Sequence, residues 1–238
     1  MRIRSPNGGS VGDAGGRDRL PPGQVLTAKW PVLTYGEAPH VDLESWRFRC
    51  FGLVEQELSW SWTDFLALPR VEVISDIHCV THWSRYDNRW EGVPVREILR
   101  RVRPRPEAVA VMAHTVEGYT TNIPLADLEE DDVLLATKHD GADLAAEHGG
   151  PCRLLVPKLY LWKSSKWISA FEFLAVNPPG FWEVNGYHLR ADPWKEERYS
   201  DQETDAMQRM RSDAVRRLRG RSSITHGTDP EPGGESSS

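Results

Sequence analysis

The residues best equipped for chemistry sit in SDIHCVTHWSRYDNRWEGVPV, residues 75–95. Cys79 there follows His78 and stands near His82 and Arg85. As cations or donors, such neighbours favour a thiolate over a thiol. A thiolate so placed can act as a nucleophile activated by a histidine or as a soft ligand for a metal. A third reading makes it a buried cysteine beside exposed histidines. Cys50 and Cys152 differ from it. Cys50 alternates with Trp46 and Phe48 in WRFRCFG, and Cys152 shares parity with Leu154 and Val156, so both are expected in the core.

A second group lies downstream. EHGGPCRLLVP followed by LYLWKSSKW gathers His148, Arg153, Lys163 and Lys166 among glycines and serines. Glycines allow close backbone approach, and Arg, Lys and Ser supply donors for an anion such as a phosphate. Arg153 lies in an apolar run, where an unpaired guanidinium is costly, so it needs an anionic partner. A thiolate ligand and an anion-binding segment together suit a large, phosphate-bearing metal cofactor. Trp83, Trp90, Trp162 and Trp167 surround these motifs and are read first as packing residues.

The elements that must position these groups are strands more than helices. VEVISDIHCV reads as a strand that delivers Cys79 at or just beyond its end. SWTDFLALP starts a short helix, and VPVREILRRV is a short amphipathic one. EAVAVMAHTVEGYTTNIPL reads as two strands about the turn VEGY. CRLLVPKLYLWKSSKWISAFEFLA reads as a buried strand, a basic and aromatic connector, and a second strand. Residues 1–24 and 222–238 are too polar and Gly/Pro-rich to bury a core, and are expected to be disordered tails. Residues 200–221 suggest a charged C-terminal helix, acidic at its start and basic at its end, with RRLRGR on a solvated face.

Composition removes several classes. The chain has 238 residues, enough for one large domain, and a net charge of −6 that argues against nucleic acid as a partner. Three well-separated cysteines with no C-x-x-C exclude a disulfide framework, a zinc ribbon and a thioredoxin-type pair, and fit a reducing cytoplasm. No stretch reads as a secretory leader or a membrane span. The G-x-G-x-x-G, G-x-S-x-G and H-E-x-x-H patterns are absent.

DIHCVTHWS, GYTTNIPL, EHGGPCRLLVP and LWKSSKW, in this order, resemble the sulfite oxidase family of molybdopterin enzymes across roughly residues 25–199. The stand-alone cytoplasmic sulfite oxidase-like oxidoreductases are the most similar group, and GFWEVNGYHLRADPWKEERYS resembles their ending. The resemblance implies an α+β fold: a mixed α/β, sulfite-oxidase-type unit built around β-sheets, with the molybdenum–molybdopterin cofactor at its centre. It implies that Cys79 coordinates molybdenum. By similarity to the related catalytic subunit that repairs protein methionine sulfoxide, Tyr35, His114, His148, Arg153, Ser164, Ser165 and Lys166 would contact the cofactor. Val32 and Gly36 replace an asparagine and a glutamate of that relative. The arginines with which true sulfite oxidases grip sulfite have no counterpart after Cys79 beyond His82 and Arg85, which argues against sulfite. His82 is the candidate substrate-side catalytic donor. The haem domain and the C-terminal dimerisation domain of the eukaryotic enzymes are not expected within these 238 residues.

With no haem, iron–sulfur or flavin fingerprint, the electrons would pass to or from a separate protein, a ferredoxin- or flavin-type reductase or a cytochrome. The expected reaction is oxygen-atom transfer with a small-molecule substrate. The alternatives are a metal-free thiol enzyme using Cys79 with His78 or His82, and a non-catalytic module that keeps the fold.

Overall fold

A computed structural model describes residues 1–5 and 19–222, with the side chains of 214 and 217–222 left aside. Its first sheet has seven strands: β1 (Arg2–Arg4), β2 (Val25–Leu26), β5 (Val71–His78), β6 (Trp83–Pro94), β9 (Leu134–His139), β10 (Ala142–Asp143) and β11 (Arg153–Leu155). The second has five, in the order β4 (Leu58–Ser61), β3 (Arg47–Gly52), β12 (Ile168–Leu174), β7 (Ala110–Thr115) and β8 (Thr120–Pro124). Five α-helices lie among the described residues: α1 (Trp62–Leu66), α2 (Val95–Val102), α3 (Leu125–Leu128), α4 (Phe181–Val184) and α5 (Asp205–Ser222). The mixed sheets with a few helices are the α+β architecture expected.

Strand alternation divides the interior in two. Phe48, Cys50, Val111, Ala113, Phe171 and Phe173 from the second sheet pack with Val93, Leu135, Cys152, Leu154 and Val156 and with α2 in the main core. Cys50 and Cys152 are buried there as expected, and burial pushes both thiols far up. The opposite face of the first sheet carries a smaller cluster, Val73, Ile77, Trp90, Leu134, Ala136 and Leu155, against which Trp30, Trp83 and Leu161 rest. Because side chains two apart on a strand share a face, Arg153 falls with Leu155 on this second side. Cys79, two beyond Ile77, also reaches it.

The N-terminal segment departs from expectation. Arg2–Arg4 pairs in parallel with Glu72–Ile74, and the buried Ser5 hydroxyl bonds Asp132. Arg19 makes a two-pronged ion pair with the buried Asp76, at 2.6 and 2.9 Å. Backbone pairing and a buried carboxylate anchor both ends of a segment whose composition holds no core. Composition measures only apolar burial, so this anchoring was invisible to it. Residues 6–18 and 223–238 lie outside the described residues. The C-terminal helix begins at Asp205, five residues later than expected, because Ser200–Gln202 forms a 3-10 turn. Arg211 docks it through Glu203 and the Tyr187 carbonyl. In RRLRGR, Arg216 is exposed and the side chains of 217–221 are not described.

Candidate active site

The second face of the first sheet opens into a cleft of about 330 Å³. Cys79 lines it, on the short connection between β5 and β6. The thiol is buried, which pushes its pKa up, and Thr81 Oγ1 lies 3.2 Å from the sulfur. The neighbouring histidines do not serve it. His78, next in sequence, faces the other way, with Nδ1 2.8 Å from Ser84 Oγ. Burial lowers its pKa to about 4, so it is neutral. His82 is exposed and outside the cleft lining; its Nδ1 donates to the Gly23 carbonyl at 2.8 Å. Arg85 is taken up by Asp140 at 2.7 Å and His139 at 2.9 Å. Sequence proximity suggested local cations around the thiol, but His78 points to the other face of the sheet, His82 is bonded to Gly23 outside the cleft, and Arg85, on the same side as Trp83, is held by Asp140 and His139. This removes the histidine partner that a metal-free thiol mechanism needs, and it takes His82 away from the substrate side.

The downstream group meets Cys79 at the same cleft. Arg153, Ser164, Ser165, Lys166 and His148 all line it, as does the exposed Tyr35. Arg153 is 1% exposed, and Nη1 and Nη2 donate to the carbonyls of His148 at 2.8 Å and Ser164 at 2.7 Å. Its guanidinium lies 5.6 Å from the Trp30 ring and 5.8 Å from the Trp90 ring. Nε has no partner, and no carboxylate pairs with Arg153 among the described residues. Desolvation lowers its pKa to about 10, so the cation persists at neutral pH.

Lys166 is half-buried and bridges segments, donating to the Leu33 carbonyl at 2.8 Å, Thr34 Oγ1 at 2.7 Å and the Glu147 carbonyl at 2.6 Å. Burial first, then Arg153, brings its pKa down to about 8. His148 stacks on Trp30 with ring centres 3.8 Å apart. Desolvation and the same two cations lower its pKa, so it serves as a neutral donor or acceptor. Ser164 Oγ accepts from Val156 N at 2.9 Å, leaving its hydroxyl proton available to the cleft. Gly149, at φ 100°, lets its backbone lie against Lys166, where a Cβ would approach the lysine Cα to 2.9 Å. The close approach that the glycines permit is therefore to the chain's own anion-binding segment.

Two expected contacts do not reach the cleft. Lys163 is fully buried and consumed by Glu183 at 2.7 Å, both oxygens of Asn122 and the Leu189 carbonyl. His114 lies on the outer face of the second sheet, with Nε2 2.9 Å from Glu172. Its neighbour Thr115 lines the cleft instead. A shift of one residue in a strand reverses the face, and that is the whole of the error. Three contributors were missed. Trp83 presents a buried, unpartnered Nε1 among the lining residues. Gln24 holds the Cys79 turn from a segment that carries no motif, and Arg198 from the stretch GFWEVNGYHLRADPWKEERYS, where nothing local marked the arginine itself.

The donor set fits a large anionic metal cofactor. Among the described residues no group of three His, Cys, Asp or Glu side chains could chelate a metal. A metal at Cys79 must therefore bring its other ligands with it. The buried, uncompensated Arg153 with its open Nε, and Lys166 beside it, supply the cationic end for that carrier.

A profile for the oxidoreductase molybdopterin binding domain matches residues 35–182. The chain belongs to the molybdopterin-binding oxidoreductase family. It is an enzyme of that family, and its cofactor is the molybdenum–molybdopterin group. It is 45% identical over 183 residues to the uncharacterized oxidoreductase YuiH of Bacillus subtilis, covering 76% of this chain and 92% of that one. It is 31% identical to the putative protein-methionine-sulfoxide reductase subunit YedZ1 of Azospira oryzae, covering 70% of this chain but 64% of that protein. It is 27% identical to the protein-methionine-sulfoxide reductase catalytic subunit MsrP of Campylobacter jejuni, covering 61% of this chain and 54% of MsrP. The fold is similar to that of the sulfane dehydrogenase SoxCD from Paracoccus pantotrophus, with TM-score 0.54 at 23% identity over 59% of this chain and 41% of that one.

Proposed function

We propose that this oxidoreductase transfers an oxygen atom to or from a small sulfur- or nitrogen-containing substrate and exchanges electrons with a separate redox protein. The observation that carries the reading is the meeting, in one cleft, of Cys79 with the buried, unpaired Arg153. The cofactor supplies the redox and oxygen-transfer chemistry when bound. Cys79 provides the soft protein ligand. Arg153 and Lys166 neutralise the anionic carrier, and Ser164, Ser165 and neutral His148 donate to it. Trp83, Trp162, Trp182, Tyr119 and Tyr187 wall the remainder and exclude water.

The cleft also bears on substrate charge. Its lining cations are those of the anion-binding segment, and Arg85 is already paired with Asp140. An uncharged substrate, such as a sulfoxide or an N-oxide, suits this aromatic wall better than the sulfite dianion. The similarity to YedZ1 and MsrP, both named as protein-methionine-sulfoxide reductase subunits, points the same way. The electron partner is proposed as a reductase of ferredoxin or flavin type, or a cytochrome. Among the described residues no helix is long and apolar enough to cross a membrane. A cytoplasmic location is part of the proposal and rests on three free cysteines.

The test is metal analysis of protein made in a host that synthesises the pterin, followed by turnover with sulfoxides, N-oxides and sulfite. Stoichiometric molybdenum with turnover on the neutral oxides is the expected result. Turnover on sulfite alone would overturn the substrate reading.

A further inference from the structure

Two segments outside the matched domain, residues 35–182, converge on the turn that carries Cys79. From the N-terminal side, the buried Gln24 donates from Nε2 to the Cys79 carbonyl at 3.0 Å, and its Oε1 accepts from Ser84 Oγ at 3.3 Å. From the C-terminal side, Arg198 donates from Nη1 to the Val80 carbonyl at 2.8 Å and from Nη2 to the Pro22 carbonyl at 3.3 Å. One guanidinium thus ties the Cys79 turn to the N-terminal strap, and it lies 4.9 Å from the Tyr160 ring centre.

Arg198 is 4% exposed, and its Nε has no partner. The carboxylate near it among the described residues is Glu196, part-exposed, with its oxygen 3.6 Å from Nη2, beyond a direct hydrogen bond. The Arg198 guanidinium is bonded to the carbonyl one residue beyond Cys79. A neutral amide could donate to Val80 without the desolvation cost of a guanidinium. What a guanidinium adds there is a fixed, weakly compensated positive charge, shielded from salt by burial. Such a charge favours whichever state of the neighbouring site holds more electrons.

We propose that Arg198 is a positioning residue for the metal-ligating turn and the fixed charge that raises the reduction potential of the molybdenum site, acting through the Cys79–Val80 backbone without touching substrate. The inference rests on the reading of Cys79 as the metal ligand.

Redox titration of the molybdenum-loaded full chain at low ionic strength, followed spectroscopically and normalised to molybdenum content, tests it. Arg198→Met moves the potential to more negative values, and Arg198→Lys, which keeps the charge, stays close to the unmodified protein. Glu196→Gln removes the nearby carboxylate and moves the potential to more positive values. A purely structural Arg198 would lower molybdenum content or the thermal midpoint in the Met and Lys variants alike, with no ordered shift in potential. An unshifted potential in loaded Arg198→Met overturns the inference. Should that variant yield no loaded protein, Glu196→Gln decides, and an unshifted value there overturns it equally. Cys79→Ser, run in parallel, separates the two assignments. A metal spectrum unchanged by Cys79→Ser removes the ligand assignment itself. A changed one, with unmoved potentials in the other variants, removes the role of Arg198 alone.

Discussion

At the scale of single residues, the site divides labour between a soft atom and a set of hard cations. Replacing Cys79 by serine exchanges a soft ligand for a hard one, while Arg153 and Lys166 still grip the carrier. Turnover should be lost while most of the pterin stays bound, which activity and fluorescence of the released pterin would show; full activity would refute the role of Cys79. Arg153→Met removes the buried cation and its open Nε donor, a charge-assisted bond worth about 1.5–3 kcal/mol. Its cofactor content, read by metal analysis, should fall by about tenfold or more, the factor that about 1.4 kcal/mol represents.

Lys166 predicts a pH effect. Its pKa in the fold, about 8, lies below the ordinary lysine value. Above pH 8 the folded lysine is neutral and the unfolded one still charged, so this group makes the cofactor-free chain more stable as pH rises across that window. Anion binding runs oppositely. Affinity of the cofactor-free protein for inorganic phosphate, measured by calorimetry, should weaken above pH 8 by up to about tenfold per unit. An affinity flat from pH 7 to 9.5 would show that Lys166 does not hold the anion.

At the scale of elements, the connector between β11 and β12 is the piece that brings both halves together. Its 3-10 turn, Leu161–Lys163, ends in a buried ion pair: Lys163 with Glu183 on α4. Glu183 Oε1 also accepts from Trp162 Nε1 at 3.1 Å and Thr121 Oγ1 at 2.6 Å. The pair therefore fixes a wall of the cleft, because Trp162 and Trp182 both line it. Removing one member of a buried pair strands the other charge, at about 3–5 kcal/mol. Lys163→Met should lose about that much by denaturant unfolding, and Lys163→Met with Glu183→Gln should lose less than the two single changes summed. Strict additivity would mean that the two side chains are not coupled.

For the molecule as a whole, the N-terminal strap completes the first sheet and reaches the Cys79 turn. β1 covers the outer edge of β5, and an uncovered edge is a template for pairing with another chain. Deleting residues 1–5 should lower the thermal midpoint and raise light scattering on heating; unchanged values for both would mean that β1 contributes nothing to the sheet. The same strap explains how flanking residues act on the site. Gln24 and Arg198 are 174 positions apart in the sequence, yet they hold adjacent residues, Cys79 and Val80.

Local patterns in the chain sufficed for the strands, the two cored cysteines, the placement of Cys79 past the end of β5 and the need of Arg153 for an anionic partner. Each follows from alternation or from the cost of an unpaired cation, which are properties of neighbours along the chain. What only the tertiary structure decided was direction and partnership. Strand pleat turned His78 away from Cys79 and put Thr115 in the cleft where His114 was expected, while packing between elements spent Arg85 on Asp140 and Lys163 on Glu183. Long-range contact also drew Gln24 and Arg198 to one turn. No local pattern encodes such meetings, because they depend on how separate strands pack, and a side chain's chemistry is set by what packing leaves it facing.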